Sequence, residues 1–453
     1  MNRTVYLDNN ATTIVDPLVR EAMEPFACDM YGNPNSLHDF GTEVHPFMRL
    51  AFDRLYAGIN AGERDDIFLN GCATEGNNTV IKGVWYDLIR TGKRSEIVTT
   101  QVEHPCVANA CTFVESLGAK VVRLPVTADG IVDPDLLARH IHPDRTALVS
   151  IMWANNETGL VFPIRELARL CRERGILFHT DAVQAIGKLP VDVAEVPVDF
   201  LSFSAHKFHG PKGVGGLFVR EGRSLPPLLH GGEQMRGHRA GTVNVAGLVG
   251  MGLAMDLAVK NLGHEATEVR RLRDRLEDAL LAIDGVSVIG RRELRTPNTI
   301  LASVEGVEGE AFIWDLNRGG VAASTGSACA SESLEPNPTF VAMCVSPELA
   351  HTGVRLSLSR FTTEAEIDRA IDVIRAGTVH PGKYLVLVDG DVASVEESLA
   401  AGAADLNGRR ARGLGWRCSD RGAHCKCRLR CHAGRGCHRR TGRMGWCRPG
   451  ACP

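Results

Sequence analysis

Residues 201–216 read Leu-Ser-Phe-Ser-Ala-His-Lys-Phe-His-Gly-Pro-Lys-Gly-Val-Gly-Gly, which sets one lysine, Lys207, between a short apolar run and a glycine-rich turn. An amine is nucleophilic only where part of its population is unprotonated, and burial beside other cations favours that form. His206, His209 and Lys212 are the neighbours expected to supply the positive charge, while Ser204 and His206 add donors suited to a phosphate. A basic loop with a solvated lysine explains the same residues, so the rest of the chain has to decide.

Upstream of this stretch, strand and helix periods alternate. Strands are predicted over 66–70, 96–100, 120–124, 146–153, 176–179 and 200–204, with helices opening near 71, 105 and 164. That rhythm predicts a mostly parallel sheet covered by helices on both faces, with ligands at the carboxyl ends of the strands. Gly71-Cys-Ala-Thr-Glu-Gly-Asn-Asn leads from a strand into a helix and offers free backbone N–H groups and the Thr74 hydroxyl to an anion, although a plain helix cap at Thr74 fits it too. Glu103-His104-Pro105, Trp153-Ala-Asn155 and His179-Thr-Asp181-Ala-Val-Gln184 stand at three further strand ends. Taken singly, His104 is a helix-capping histidine, Asn155 a turn former and Asp181 an N-cap. Together with Lys207 at a fourth strand end they read as one site.

Nearer the start, 6–13 is a short strand running into a polar turn, Asp16-Pro17 opens a helix, 32–38 is a loop and 42–60 an amphipathic helix. Downstream, 243–282 is helical, first apolar and then charged. The segments beginning at Pro297, Val321 and His351, and a helix opening at Thr363, suit a smaller α+β domain.

The chain has 453 residues, 44% of them hydrophobic, and a net charge of −3, which suits a globular protein of more than one domain. The charge is unevenly spread: from Arg409 onward 12 Arg and one Lys face a single Asp. Seven cysteines are scattered before residue 345 as in a reduced cytosolic enzyme, and seven crowd into 418–452. No apolar run approaches the ~18 residues of a membrane span, and the start lacks an apolar signal segment, so a cytoplasmic protein without a membrane partner is expected.

The ordered set Tyr-Leu-Asp-Asn-Asn-Ala-Thr-Thr, Gly-Asn-Pro-Asn-Ser-Leu-His, Ala-Thr-Glu, Glu-His-Pro, Trp-Ala-Asn-Asn-Glu-Thr-Gly, His-Thr-Asp-Ala-Val-Gln, Ser-Phe-Ser-Ala-His-Lys, Arg-Ala-Gly-Thr, Gly-Ser-Ala-Cys and Arg-Leu-Ser-Leu-Ser-Arg-Phe resembles the cysteine desulfurases of the NifS/IscS type. These are fold-type-I pyridoxal-phosphate enzymes of the class-V aminotransferase family, and the resemblance spans about residues 3–376. It implies an α/β large domain over 15–260, with a mostly parallel seven-stranded sheet between helices. It further implies a smaller α+β domain from 1–14 and 261–376 that carries the cysteine loop, and a homodimer.

Carried over by motif, the resemblance makes Lys207 the residue bonded to pyridoxal 5'-phosphate and places Asp181 against its pyridine nitrogen. It gives Gln184 a hydrogen bond to the phenolic oxygen, and has His104 stack on the ring and handle protons. Ala73 through its backbone, Thr74, Ser204 and His206 hold the phosphate, joined by Thr242 from the other subunit. Asn155 and Arg355 bind the substrate carboxylate, for which a planar guanidinium is well shaped. Cys329, in a glycine- and serine-rich loop, takes the sulfur of L-cysteine as a persulfide, alanine is released, and an iron–sulfur scaffold protein receives the sulfur. Whether that scaffold serves nitrogenase or general assembly stays open, and no resident metal is implied beyond a passing role for Cys329 toward iron–sulfur clusters.

After about Gly377 the resemblance stops. Residues 377–408 read as a short strand and helix, and 409–453 as an Arg/Cys-rich tail expected to be disordered or to come from a shifted reading frame. Its cysteine spacing fits no paired zinc arrangement. Two alternatives accompany the desulfurase reading: selenocysteine lyase, and a non-catalytic metal- or nucleic-acid-binding protein acting through the tail. Nucleic acid is not an expected partner.

Overall fold

The computed structural model describes residues 4–326 and 338–378. The expectations for Cys329 and for residues 379–453 lie outside the described residues. Twelve strands are labelled in chain order: Val5–Tyr6 (β1), Asp66–Asn70 (β2), Glu96–Thr100 (β3), Lys120–Leu124 (β4), Thr146–Ser150 (β5), Leu177–Asp181 (β6), Phe200–Ser204 (β7), Gly215–Val219 (β8), Val286–Val288 (β9), Thr299–Val304 (β10), Val321–Ala322 (β11) and Gly353–Ser357 (β12).

Seven of them form one sheet in the order β2-β8-β7-β6-β5-β3-β4. β4, β3, β5, β6 and β7 run parallel, and β8 runs antiparallel to both β7 and β2. This is the mostly parallel sheet that the alternating periods predict. Its central strands are buried along their whole length, as near-continuous apolar runs such as Phe200-Leu-Ser-Phe require when helices cover both faces. Apolar cores lie on either side. One joins Val98, Val149, Phe178 and Phe203 to Leu55 and Met251, and the other joins Phe68, Ile97 and Leu148 to Val80, Val107 and Val114.

β8 was not foreseen, because Gly215-Gly216 reads as turn. The glycines are there for space: a Cβ on Gly216 would sit 2.2 Å from the Phe203 ring, and one on Gly215 would sit 2.6 Å from the Phe203 carbonyl oxygen. β5 ends at Ser150, three residues before the predicted end, and the chain then runs as loop past Trp153 to Asn155.

The predicted helix over 243–282 is broken. Val245–Lys260 gives way at Asn261 to a short turn and a π-turn, Glu265–Val269, before Arg270–Leu281 resumes. Val269, Leu272, Leu276 and Leu280 from this second half pack with Ile300, Phe312, Leu356 and Ile371 in a separate apolar core. That core is built on the antiparallel sheet β12-β10-β9, which β1 flanks by pairing with β11. Asp8 bridges to Ser357 at the end of β12, and the carbonyls of Asn10 and Ala11 in the turn after β1 accept from Lys207 just beyond β7, which sets that turn at the large sheet's carboxyl edge.

Candidate active site

The carboxyl ends of β3, β5, β6 and β7 are neighbours in the sheet, and the loops that leave them line one cavity of about 300 Å³. Lys207 stands just beyond β7 in a short 3-10 turn and reaches back to the turn after β1. Its Nζ donates to the carbonyl oxygens of Asn10 (2.7 Å) and Ala11 (2.9 Å). Burial lowers the amine to about 8, and the Arg355 guanidinium pushes it the same way.

The cause differs from the one the sequence suggests. His206 is lowered to about 4 and His209 to about 3, both chiefly by burial, so neither is a cation at neutral pH. His209 turns away to the Ile14 carbonyl (3.0 Å), and Lys212 is exposed. Desolvation makes a histidine neutral long before it depresses a lysine to the same pH, so charge counted along a sequence overstates the cations of a buried loop.

Asp181 closes β6. Its Oδ1 accepts from the Val183 N–H (3.0 Å) and its Oδ2 from the Asn77 side chain (2.7 Å), so it does cap the following turn, while it also lines the cavity. His104 likewise plays both parts. Nδ1 accepts from the Cys106 N–H at the start of the helix Pro105–Ser116, which leaves Nε2 to carry the proton of the neutral ring, and the ring lines the cavity. Burial lowers the His104 imidazole.

The helix Ala73–Val84 starts at the cavity, with Cys72 as its N-cap. Thr74 therefore lies in its first turn and is not the cap. Ser204 Oγ accepts from the Ala73 N–H (2.7 Å), which joins two of the expected phosphate donors. Thr74, His206 and Gln184 line the cavity as well, and His206 Nδ1 meets Thr12 Oγ1 at 3.2 Å. Gln184 Nε2 donates to the Asn10 carbonyl at 3.0 Å.

Arg355 projects from β12, and its ion pair with Asp8 (2.8 Å) fixes it in place. Its guanidinium also donates to the carbonyl oxygens of Asn156 and Gly326, and Nε is buried without a partner.

One expected residue, Asn155, is not brought into this cavity. The Asn155 carboxamide is committed to its own turn: Oδ1 accepts from the Glu157 and Thr158 N–H groups, and Nδ2 donates to the Val102 carbonyl. Its neighbours Ala154, Asn156 and Glu157 line the cavity in its place. Thr242 is exposed and lies beside Arg239 and Gly241, away from the Lys207 cavity of its own chain.

Residues that the sequence reading passed over include Asn10 and Ala11, whose carbonyls hold the lysine, Asn77 on the Asp181 carboxylate, and Cys106, whose thiol burial pushes up to about 12. The run of small and polar residues at 8–13 was the signal available for the first two; nothing local marks the others.

The donor set suits a phosphorylated pyridine aldehyde. A depressed amine shares the cavity with a carboxylate and the Arg355 guanidinium, and the Thr74 and Ser204 hydroxyls line it beside a helix start.

The aminotransferase class-V family profile matches residues 5–370. A cysteine desulfurase of Gluconacetobacter diazotrophicus is 47% identical over 372 residues, 82% of this chain and 92% of the relative. Cysteine desulfurase NifS of Azotobacter vinelandii is 46% identical over 368 residues, 81% of this chain and 90% of the relative. A solved NifS-like protein superposes with a TM-score of 0.77 at 37% identity, over 82% of this chain and 98% of that one. The architecture is thus that of fold-type-I pyridoxal-phosphate enzymes. The chain belongs to the aminotransferase class-V family, whose members depend on pyridoxal phosphate, and within it to the cysteine desulfurases.

Proposed function

We propose that this chain converts L-cysteine to L-alanine and passes the sulfur through a persulfide on Cys329 to an iron–sulfur scaffold protein. The observation that carries this reading is the convergence, in one cavity, of the Lys207 amine lowered to about 8, the Asp181 carboxylate and the Arg355 guanidinium. Pyridoxal phosphate, when bound, supplies an aldehyde for the amine and a ring that takes up electrons.

In this reading Lys207 would bond the cofactor and would later move protons, and Asp181 would hold the proton of the ring nitrogen. Gln184 would donate to the ring oxygen, and His104, with its proton on Nε2, would be placed to handle protons at the ring. Thr74, Ser204 and His206 would hold the phosphate, the Ala73 N–H would support it through its bond to Ser204 Oγ, and Thr242 would reach it from a second subunit. Arg355 takes the substrate carboxylate, and Asn155 acts by setting the turn that brings Asn156 and Glu157 to the cavity. The Cys329 thiolate attacks the substrate sulfur, the carbon–sulfur bond breaks, a persulfide forms, and the carbon left behind takes up a proton to become the methyl group of alanine. Residues 15–260 serve as the cofactor domain, and 1–14 with 261–376 as the domain that brings Arg355 and Cys329.

Among the described residues no single helix is long and apolar enough to cross a membrane. The test is mass spectrometry of the cysteine-treated protein without reductant, where a peptide containing Cys329 gains one sulfur atom. A Cys329→Ala protein releasing alanine from cysteine at the parent's rate contradicts the proposal and favours selenocysteine lyase.

A further inference from the structure

Lys188 is 7% exposed, and among the described residues no carboxylate lies within ion-pair distance of its amine. Burial lowers it to about 7, helped by the charge of Lys207. Glu265, itself raised to about 7 by burial, acts the other way, and Arg355 acts with Lys207. A buried amine with no carboxylate in ion-pair contact is costly, and a methionine would fill the same space without that cost. The amine makes one hydrogen bond, from Nζ to Gln184 Oε1 at 2.5 Å. Gln184 in turn donates from Nε2 to the Asn10 carbonyl, which also accepts from Lys207 Nζ. The Asn10 carbonyl can only accept and the Lys188 amine donates, so the two ends of the Gln184 amide are assigned without ambiguity.

We propose that Lys188 is a positioning residue of this active site: by holding Gln184 Oε1 it keeps the amide N–H group turned to the Asn10 carbonyl and the cavity, where that N–H meets the ring oxygen of the cofactor. This rests on the role given to Gln184 in the desulfurase reading. A donor on that oxygen favours its anionic form, and its loss makes the cofactor–lysine linkage hold its proton to higher pH.

The experiment is a pH titration of the visible absorbance of the holoenzyme. Lys188→Met raises the midpoint by on the order of one pH unit. Lys188→Arg, which retains the donor, stays near the parent. In a Gln184→Met background the Lys188→Met substitution adds nothing. An unchanged midpoint in Lys188→Met overturns the proposal, as does an equal shift with and without Gln184, which assigns the effect to charge through space. Should the methionine variant not fold, Lys188→Leu is judged by the same outcomes. Failure of the underlying reading looks different, since the parent itself would then show no visible band with pyridoxal phosphate.

Discussion

At the scale of single residues, burial does more than neighbouring charge to set the chemistry of this site. Glu103 shows it most simply. Its carboxyl, two residues beyond β3's last neighbour Gln101, accepts from the Thr100 hydroxyl and the Met152 N–H, and Oε2 has no partner. Burial raises it to about 8, so the group is protonated in the fold at neutral pH and ionised in the unfolded chain. Its contribution to stability is therefore complete below the unfolded value of about 4.5 and is lost as pH rises through about 8. Glu103→Gln, neutral at every pH, is expected to flatten that decline, which melting temperatures at several pH values between the two limits will measure. Arg355 yields a kinetic prediction. Arg355→Ala should lower kcat/KM for cysteine about 100-fold, because a bidentate partner for the carboxylate is lost, and most of the loss should appear in KM. The lysine and its ring partners were legible because they stand at strand ends inside distinctive motifs. Asn77 was not, since nothing in a local run of residues announces a partner a hundred positions away, as in the Asn77–Asp181 bond; Cys106 and Lys188 bond neighbours only two and four residues away, but their burial follows from the packing of the fold and is not written in the local run.

At the scale of elements, the parallel strands could be read because each is a short apolar run between turn formers. β8 could not, for its two glycines look like a turn until the Phe203 ring that excludes a side chain is known. Gly216→Val is accordingly expected to yield little folded protein, since its Cβ would meet aromatic carbon at 2.2 Å in the interior of the sheet. Soluble yield against the parent measures this. The helix Glu364–Thr378 offers a milder case. Thr363 and Glu366 close its start reciprocally: the Glu366 carboxylate accepts from the Thr363 N–H (2.9 Å) and Thr363 Oγ1 accepts from the Glu366 N–H (3.3 Å). The helix buries Ile367, Ala370 and Ile374 in the smaller core, so Thr363→Ala should cost about 1 kcal/mol in denaturant unfolding, with little change in cofactor affinity.

At the scale of the whole molecule, the site draws on both cores. Lys207 and Asp181 stand on the large sheet, Arg355 comes from the small one, and the turn after β1 ties them through the Asn10 carbonyl and Asp8. Thr242 does not reach the cavity of its own chain, and the role proposed for it is in that of a second subunit. Mixed dimers of Lys207→Ala and Thr242→Ala chains are then expected to contain one cavity with both residues intact, and cofactor affinity per functional site should recover toward the parent's relative to Thr242→Ala alone. The central claim is that the Lys207 amine, the Asp181 carboxylate and the Cys329 thiol together remove sulfur from cysteine. It is tested most directly by incubating the pyridoxal-phosphate-loaded protein with L-cysteine and a thiol reductant, and measuring alanine and sulfide in the same sample. Equal amounts of the two, with neither formed by Lys207→Ala, are predicted; sulfide without alanine, or undiminished yields from Lys207→Ala, would contradict it.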